Sequence, residues 1–530
     1  MKSVLQTALV ALMVTTSLTA IAEPQRGGTL TSVVSPEPVS LMPAIKPSAP
    51  NLFVTGNIFD GLIEFDKDLN PKPGLATSWE VSQDGKRVVF HLRKGVKWHD
   101  GVPFTGNDVK WTLQNVWQAF NPRTKSVFEA VESVDVPDEQ TVVLNLSRPS
   151  PAIFSAVNAA GAPILPQHLY EGTDILNNPF NNKPIGTGPY IFKKWERGQY
   201  IVLQRNPDYW EAGKPYLDSL VFKVVLDSSS RAALLETGAA QLGTFNPVPL
   251  RDTKRLKDQP DLSINTLGYR WSAPWLYSDF NLDNPYLKDG RVRQAIAKAV
   301  DRTAMAKIVY YGFAKPADSP IPSYLKFHAN DLPRYDVDLS AANALLDEAG
   351  FPRKNGGDRF SFVLLVDASF GDEMKTGADF IRQSLKRVGI DVQIEGADTP
   401  TFLRRAYAQR DFGMTLLWLS SFADPQIGTR RVYDSASIGK GLPYSNASGY
   451  RNARVDELFA GAAAEPDEAK RIELYQQLQR IIQTDLPSLP LLELNNVNIV
   501  SKDLNDAFIS ADQVYGSLKN AWFSVPSNRQ

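Results

Sequence analysis

Between residues 359 and 419 the hydrophobic period alternates between two and roughly three and a half, and this alternation restricts the fold more than any other feature of the chain. Phe360–Val366 is a continuous apolar run of the kind buried inside a sheet. Met374, Ala378, Ile381, Leu385 and Val388 then recur at helical spacing up to Gly389. Ile390, Val392 and Ile394 alternate as a strand, Thr399 caps a helix running to about Ala408, and Phe412–Leu419 is a second buried strand. The order β-α-β-α-β specifies an α/β protein with a parallel or mixed sheet. In such sheets ligands bind outside the carboxyl ends of the strands. Trp418, Ser420, Ser421 and Phe422 stand at such an end and are the first candidates for a binding edge.

The chain has 530 residues, enough for about two to four domains. Further elements precede the α/β unit. Strands are expected at Thr29–Val34, Val88–Leu92, Thr141–Leu146, Tyr190–Trp195, Ile201–Arg205 and Ser219–Leu226. The proline-rich stretch 35–50 reads as a loop. Thr105 and Asp108 form a capping box for a helix whose inner face is Val109, Leu113, Val116 and Phe120, with Pro122 as its stop. Asp289 caps a helix facing inward through Val292, Ile296 and Val300, and Leu339–Ala349 is a helix closed by Gly350. The Gly/Pro-rich stretch 181–189 reads as a domain crossing.

Composition excludes much chemistry. There is no cysteine, hence no disulfide, thiolate metal site, cysteine nucleophile or lipid anchor on an N-terminal cysteine. The four histidines, His91, His99, His168 and His328, show no zinc-binding spacing, so neither a metal nor a cofactor is expected. Lys+Arg total 57 against 58 Asp+Glu, which gives no electrostatic footprint for nucleic acid. No nucleophile elbow, phosphate loop or dinucleotide fingerprint is present. Isolated carboxylates leave a glycosidase pair open, but the lack of motifs favours binding over catalysis. At the N-terminus, Lys2, the apolar stretch Val4–Val14 and Ala20-Ile21-Ala22 form a secretory leader with cleavage before Glu23. A periplasmic, soluble product is expected.

Several segments resemble the family 5 extracellular solute-binding proteins of ABC importers, the dipeptide-, oligopeptide- and nickel-type receptors. They are Asn57-Ile58-Phe59-Asp60-Gly61-Leu62, Pro73–Glu80, the run Leu92–Thr105, Gly186-Thr187-Gly188-Pro189-Tyr190 and Asn206-Pro207-Asp208-Tyr209-Trp210. Arg293-Gln294-Ala295-Ile296 with Asp301-Arg302, and Leu345–Gly350, continue the similarity in order. The resemblance implies a two-lobe periplasmic binding protein of the Venus-flytrap type with an extra α+β subdomain. Residues 23–64, 185–285 and 495–530 would form a discontinuous first lobe, 65–184 the subdomain and 286–494 the second lobe. It further implies a monomer that captures a small or peptide-like solute between its lobes and delivers it to ABC permease subunits.

Peptide receptors of this family carry W-x-x-D-Y-x-D/E-P in the cleft, the first Asp holding the peptide's α-ammonium. The matching stretch here runs from Trp418 to Pro425, with Ser421 in place of that Asp and with Asp424-Pro425 retained. A hydroxyl is a poor partner for a buried ammonium, so ordinary peptide recognition is in doubt. Arg430 and Arg431 suit a carboxylate, phosphate or sulfate on the ligand, and Trp418 suits stacking. Trp271, Trp275 and Tyr277, on an expected strand Tyr269–Phe280, are aromatic candidates for the cleft or for its supporting core. The alternatives are a secreted hydrolase using a carboxylate pair and a periplasmic sensory or chaperone-like receptor on the same scaffold.

Overall fold

Thr29–Val34 pairs in parallel with Ser219–Val224 on one side and with Leu242–Gly243 on the other. Around it grows a seven-stranded sheet in the order Leu262–Asn265, Asn498–Ser501, Leu242–Gly243, Thr29–Val34, Ser219–Val224, Tyr200–Arg205, Tyr190–Glu196. The computed structural model describes residues 23–353, 357–439 and 441–524, and the expected leader, residues 1–22, lies outside them. A six-stranded sheet follows the order Ala314–Pro316, Ser488–Leu494, Pro274–Asp279, Met414–Ser420, Phe360–Asp367, Ile390–Ala397. Its last three strands are parallel, as the β-α-β-α-β pattern requires. A four-stranded antiparallel sheet, Ala76–Val81, Arg87–Leu92, Thr141–Leu146 and Val131–Asp138, lies within the stretch expected to form the extra subdomain.

Sheet membership moves one expected boundary. The strand Pro274–Asp279 was assigned with the first lobe, yet it pairs with Met414–Ser420 and Ser488–Leu494 in the second sheet. The chain crosses at 266–273, because Tyr269–Ala273 is a turn rather than the first half of a strand. It crosses back at 495–497. There Asn246 clamps the passing strand: its backbone N–H donates to the Val497 carbonyl (3.0 Å), and its Oδ1 accepts from the Val497 N–H (2.7 Å).

Local signals behaved as the chemistry dictates, with two corrections. The Thr105 capping box forms, and Gly350 and Gly389 end their helices with φ of +87° and +80°. Pro122, expected to stop a helix, instead opens Pro122–Phe128, a position where its missing N–H costs nothing. Asp398, not Thr399, caps Thr399–Leu403: its carboxylate accepts from the Thr401 N–H at 2.9 Å.

Four of the motifs behind the family resemblance, at 57–62, 92–105, 186–190 and 206–210, converge on one seam between the first lobe and the subdomain. Asp60 is buried and accepts from Trp210 Nε1 (2.9 Å), Thr187 Oγ1 (3.1 Å) and the Tyr209 hydroxyl (3.2 Å). Burial outweighs these bonds and raises its pKa to about 6. His99 accepts from the Gly186 N–H at Nδ1 (3.2 Å) and donates from Nε2 to the Gly188 carbonyl (2.9 Å), which fixes the neutral tautomer. Burial lowers its pKa to about 4. A Cβ at Gly186 would fall onto the Ile58 carbonyl, so only glycine permits this approach. These residues hold the scaffold together.

Candidate functional site

Strand Met414–Ser420 lies in the middle of the second sheet, and alternation divides its side chains between two cores. Met414 and Leu416 pack on one face, Leu417 and Leu419 on the other. Trp418 and Ser420 continue the first face toward the carboxyl end, and both are half-exposed there. The Trp418 ring meets Phe370 edge-on at 5.6 Å, just beyond the carboxyl end of Phe360–Asp367. Three residues beyond Phe370, Glu373 accepts the Leu250 backbone N–H from the first lobe at 2.9 Å. The carboxyl ends of the parallel strands therefore face the seam between lobes, with Trp418 and Ser420 at its edge.

The chain then turns sharply. Ser421 is fully buried; its hydroxyl donates to the Pro320 carbonyl (2.6 Å) and its N–H to the Ala273 carbonyl. Phe422 adopts φ of +58°, unusual for a bulky residue, and meets Trp271 edge-on at 5.2 Å. This turn brings Ala423 and Asp424 to the wall of a cavity of about 870 Å³ between the subdomain and the second lobe. Trp79 and Phe154 face it from the subdomain, Tyr324 and Phe327 from the second lobe. Asp424 is engaged: its carboxylate takes both terminal nitrogens of Arg471 at 2.7 and 2.8 Å, with the two side chains 2% and 5% exposed. Arg471 also donates to the Ala462 carbonyl and lies over the Phe327 ring at 5.1 Å.

The remaining candidates separate. Trp271 is buried and donates from Nε1 to the Ser155 carbonyl (3.0 Å), tying the crossing segment to the subdomain. Trp275 and Tyr277 stack at 4.2 Å inside the second lobe's core, on the face opposite Trp418. Such a pair contributes about 0.5–1.5 kcal/mol beyond burial. Arg430 pairs with Asp434 at 2.8 Å along its own short helix. Arg431, next to it, is half-buried, and burial lowers its pKa.

A buried acid on the Tyr277 face is Asp279, held by Thr415: its N–H donates to Thr415 Oγ1 (3.1 Å), which in turn donates to its carboxylate (3.4 Å). Burial raises its pKa to about 7 from 3.8. An acid whose pKa is raised by folding stabilises fully below 3.8 and loses that stability as pH climbs through 7. Asp279→Asn is therefore expected to be more stable than wild type at pH 8 by about 3–4 kcal/mol, with the advantage shrinking toward pH 4. Urea unfolding of both proteins at several pH values checks this; a pH-independent difference would contradict it.

Comparison with known proteins decides the family. The model of the bacterial extracellular solute-binding proteins, family 5, matches residues 70–440. The chain belongs to this family. The glutathione-binding protein GsiB of Pectobacterium atrosepticum is 29% identical over 87% of this chain and 88% of its own length. The oligopeptide-binding protein AppA of Bacillus subtilis is 30% identical over 89% of this chain and 88% of its own. The AppA structure, determined with a nonapeptide, superposes with a TM-score of 0.78 over 94% of this chain and all of that one, at 27% identity. AgaA from A. tumefaciens R10, solved with agropinic acid, gives 0.77 over 95% of this chain and 100% of its own, also at 27% identity. The protein is a two-lobe solute-binding protein of the ABC importer type.

For a solute-binding protein of this family, several residues at the seam carried no sequence signal. Phe370, Glu373 and Arg471 lie 47 or more residues from the residues they contact, Trp418, Leu250 and Asp424. Arg471 had one available clue, an arginine on the apolar-faced helix Glu468–Asp485, where a buried cation demands a partner. Among the described residues, no group of three His, Asp or Glu side chains is placed to hold a metal.

Proposed function

We propose that the protein is secreted to the periplasm, binds its solute non-covalently between the two lobes and presents it, as a monomer, to the transmembrane subunits of an ABC importer, performing no chemistry on it. The observation that carries this reading is the course of the 418–424 stretch. Trp418 and Ser420 stand half-exposed at the carboxyl edge, and, a few residues on, Ala423 and Asp424 enter the wall of the 870 Å³ cavity between the subdomain and the second lobe. That volume suits a solute of a few residues or an opine, within the usual range of ligand pockets. Trp418 offers a stacking plane and Ser420 a hydroxyl.

The ligand class follows from charge. Ser421 carries no charge and its hydroxyl is committed to Pro320; Asp424 is neutralised by Arg471. The stretch thus offers no free carboxylate for an α-ammonium. The solute is accordingly one that does not depend on that contact, nearer in chemistry to an acidic conjugate of the glutathione or agropinic acid kind than to an ordinary peptide. Binding closes the lobes to the extent that the solute prefers the closed state. The test is protein purified from the periplasmic fraction. Its N-terminus should begin at or near Glu23, and native mass spectrometry should show a bound small solute. Di- and tripeptides with free N-termini should bind at least 30-fold more weakly than that solute by calorimetry. Submicromolar binding of ordinary peptides would overturn the ligand class, and an intact Met1 would overturn the location.

A further inference from the structure

We propose that the cavity of about 870 Å³ between the subdomain and the second lobe takes the uncharged, aromatic end of the solute, bounded by Trp79 and Phe154 on one side and Tyr324 and Phe327 on the other. The inference deepens the function proposed above and rests on it for the natural solute. Strand alternation sets the subdomain's contribution. Trp79 and Val81 share one face of the edge strand Ala76–Val81, and Val88 is the cross-strand partner of Val81. All three line the cavity, with Phe154 beside them, its ring 6.1 Å from that of Trp79. Trp79 and Phe154 are half-buried and Val81 is 47% exposed, so the sheet keeps an apolar face that the protein itself only partly covers. Across the cavity the Tyr324 ring is half-buried as well. Apolar and aromatic surface gathered around one concave space, instead of scattered over the exterior, is what a ligand pocket requires.

Charge decides which part of a solute enters. Asp424 takes both terminal nitrogens of Arg471, and Lys326 donates to Glu468. Asp68 is shared by Lys67 (3.1 Å) and Arg270 (3.4 Å). Each Asp, Glu, Lys and Arg side chain of the wall thus has its counter-charge within the protein. A carboxylate or ammonium brought here would give up its water and find no opposite charge left free. A neutral ring loses nothing comparable and covers the exposed aromatic planes. The two walls are also tied to one another. Arg270, from the crossing segment, donates to the Lys67 carbonyl (3.2 Å) and lies over the Tyr324 ring at 5.2 Å. Elsewhere on the wall the subdomain turn at Gly85 meets the second lobe, where a Cβ at Gly85 would stand 3.3 Å from the Pro466 Cβ.

The test uses the full secreted chain as wild type, Trp79→Ala, Tyr324→Ala and the filling variant Val81→Trp. The probes are indole and 5-bromoindole, with indole-3-acetate as the charged comparison. Crystals of wild type soaked in 5-bromoindole should show an anomalous bromine peak among Trp79, Phe154, Tyr324 and Phe327. By calorimetry indole should bind about 10-fold more weakly to each of the three variants than to wild type. Indole-3-acetate should bind wild type at least about 10-fold more weakly than indole does. The solute seen by native mass spectrometry should be lost from Val81→Trp. No bromine peak in the cavity, or an indole affinity unchanged in all three variants, overturns the site. Indole-3-acetate binding as tightly as indole overturns the uncharged class. A bromine peak with the natural solute retained at wild-type occupancy in Val81→Trp shows binding at crystal concentration only and overturns the assignment to the solute, leaving the proposed transport function intact. Wild type isolated without any solute counts against that function instead, and the probe measurements still decide the site. Should Trp79→Ala fail to fold, Tyr324→Ala and Val81→Trp carry the same comparison.

Discussion

Asp424→Ala is expected to lower the unfolding free energy by about 3–5 kcal/mol, the usual cost of removing one partner from a buried ion pair and stranding the other. Arg471 would be left with the Ala462 carbonyl and the Tyr475 hydroxyl (3.3 Å) but without a counter-charge. The Gln426 N–H, which donates to the same carboxylate at 3.0 Å, would lose its acceptor too. The double variant Asp424→Ala with Arg471→Met should recover most of the loss, because an apolar pair of similar volume is often as stable as the ion pair it replaces. Urea unfolding of the three proteins decides the point. A loss under about 1 kcal/mol for Asp424→Ala would mean that the carboxylate is free to serve a ligand.

Ser421→Asp is expected to destabilise the protein by about 3 kcal/mol or more at pH 8 and to leave peptide binding no better. The resemblance to peptide receptors suggests the opposite, an ammonium site restored by one substitution. The structure directs the side chain at position 421 to the Pro320 carbonyl, which wants a donor, in a site with no solvent access. An ionised carboxylate there faces an oxygen. Its folded pKa would rise, so the stability loss should grow as pH climbs and fade toward pH 4. Unfolding at pH 5 and pH 8, with calorimetry against a dipeptide, checks both parts. A variant as stable as wild type at pH 8 that binds the dipeptide tightly would show that this side chain faces the ligand.

The parallel half of the second sheet was readable because its order rests on local periods. Each strand and helix between Phe360 and Ser420 announces itself within a few residues, and parallel pairing follows from the connections. The first sheet was not readable in that way. Its pairings, such as Thr29 with Ser219 and Leu242 with Val500, join residues with no local relation. The same limit applied to the site. The sequence brought Trp418, Ser420 and Phe422 to one edge because they share one strand end. It left Trp275 and Tyr277 open between cleft and core, and the structure places both in the core on the other face. That Asp424 answers to Arg471 depends on how a distant helix docks, which no spacing reveals.

The strand Asn498–Ser501 lies between Leu242–Gly243 and Leu262–Asn265, so it occupies an interior place in the first sheet. This sets an order of events for the growing chain. Until Asn498–Ser501 has been made, its two neighbour strands have exposed, unsatisfied edges, and the sheet that began at Thr29 waits to close. The second lobe, whose strands lie between Pro274 and Leu494, can complete itself first. The part synthesised earliest is thus finished last, and a chain truncated before Asn498 would carry a sound second lobe beside an open-edged first one, the state most exposed to mispairing with a neighbour.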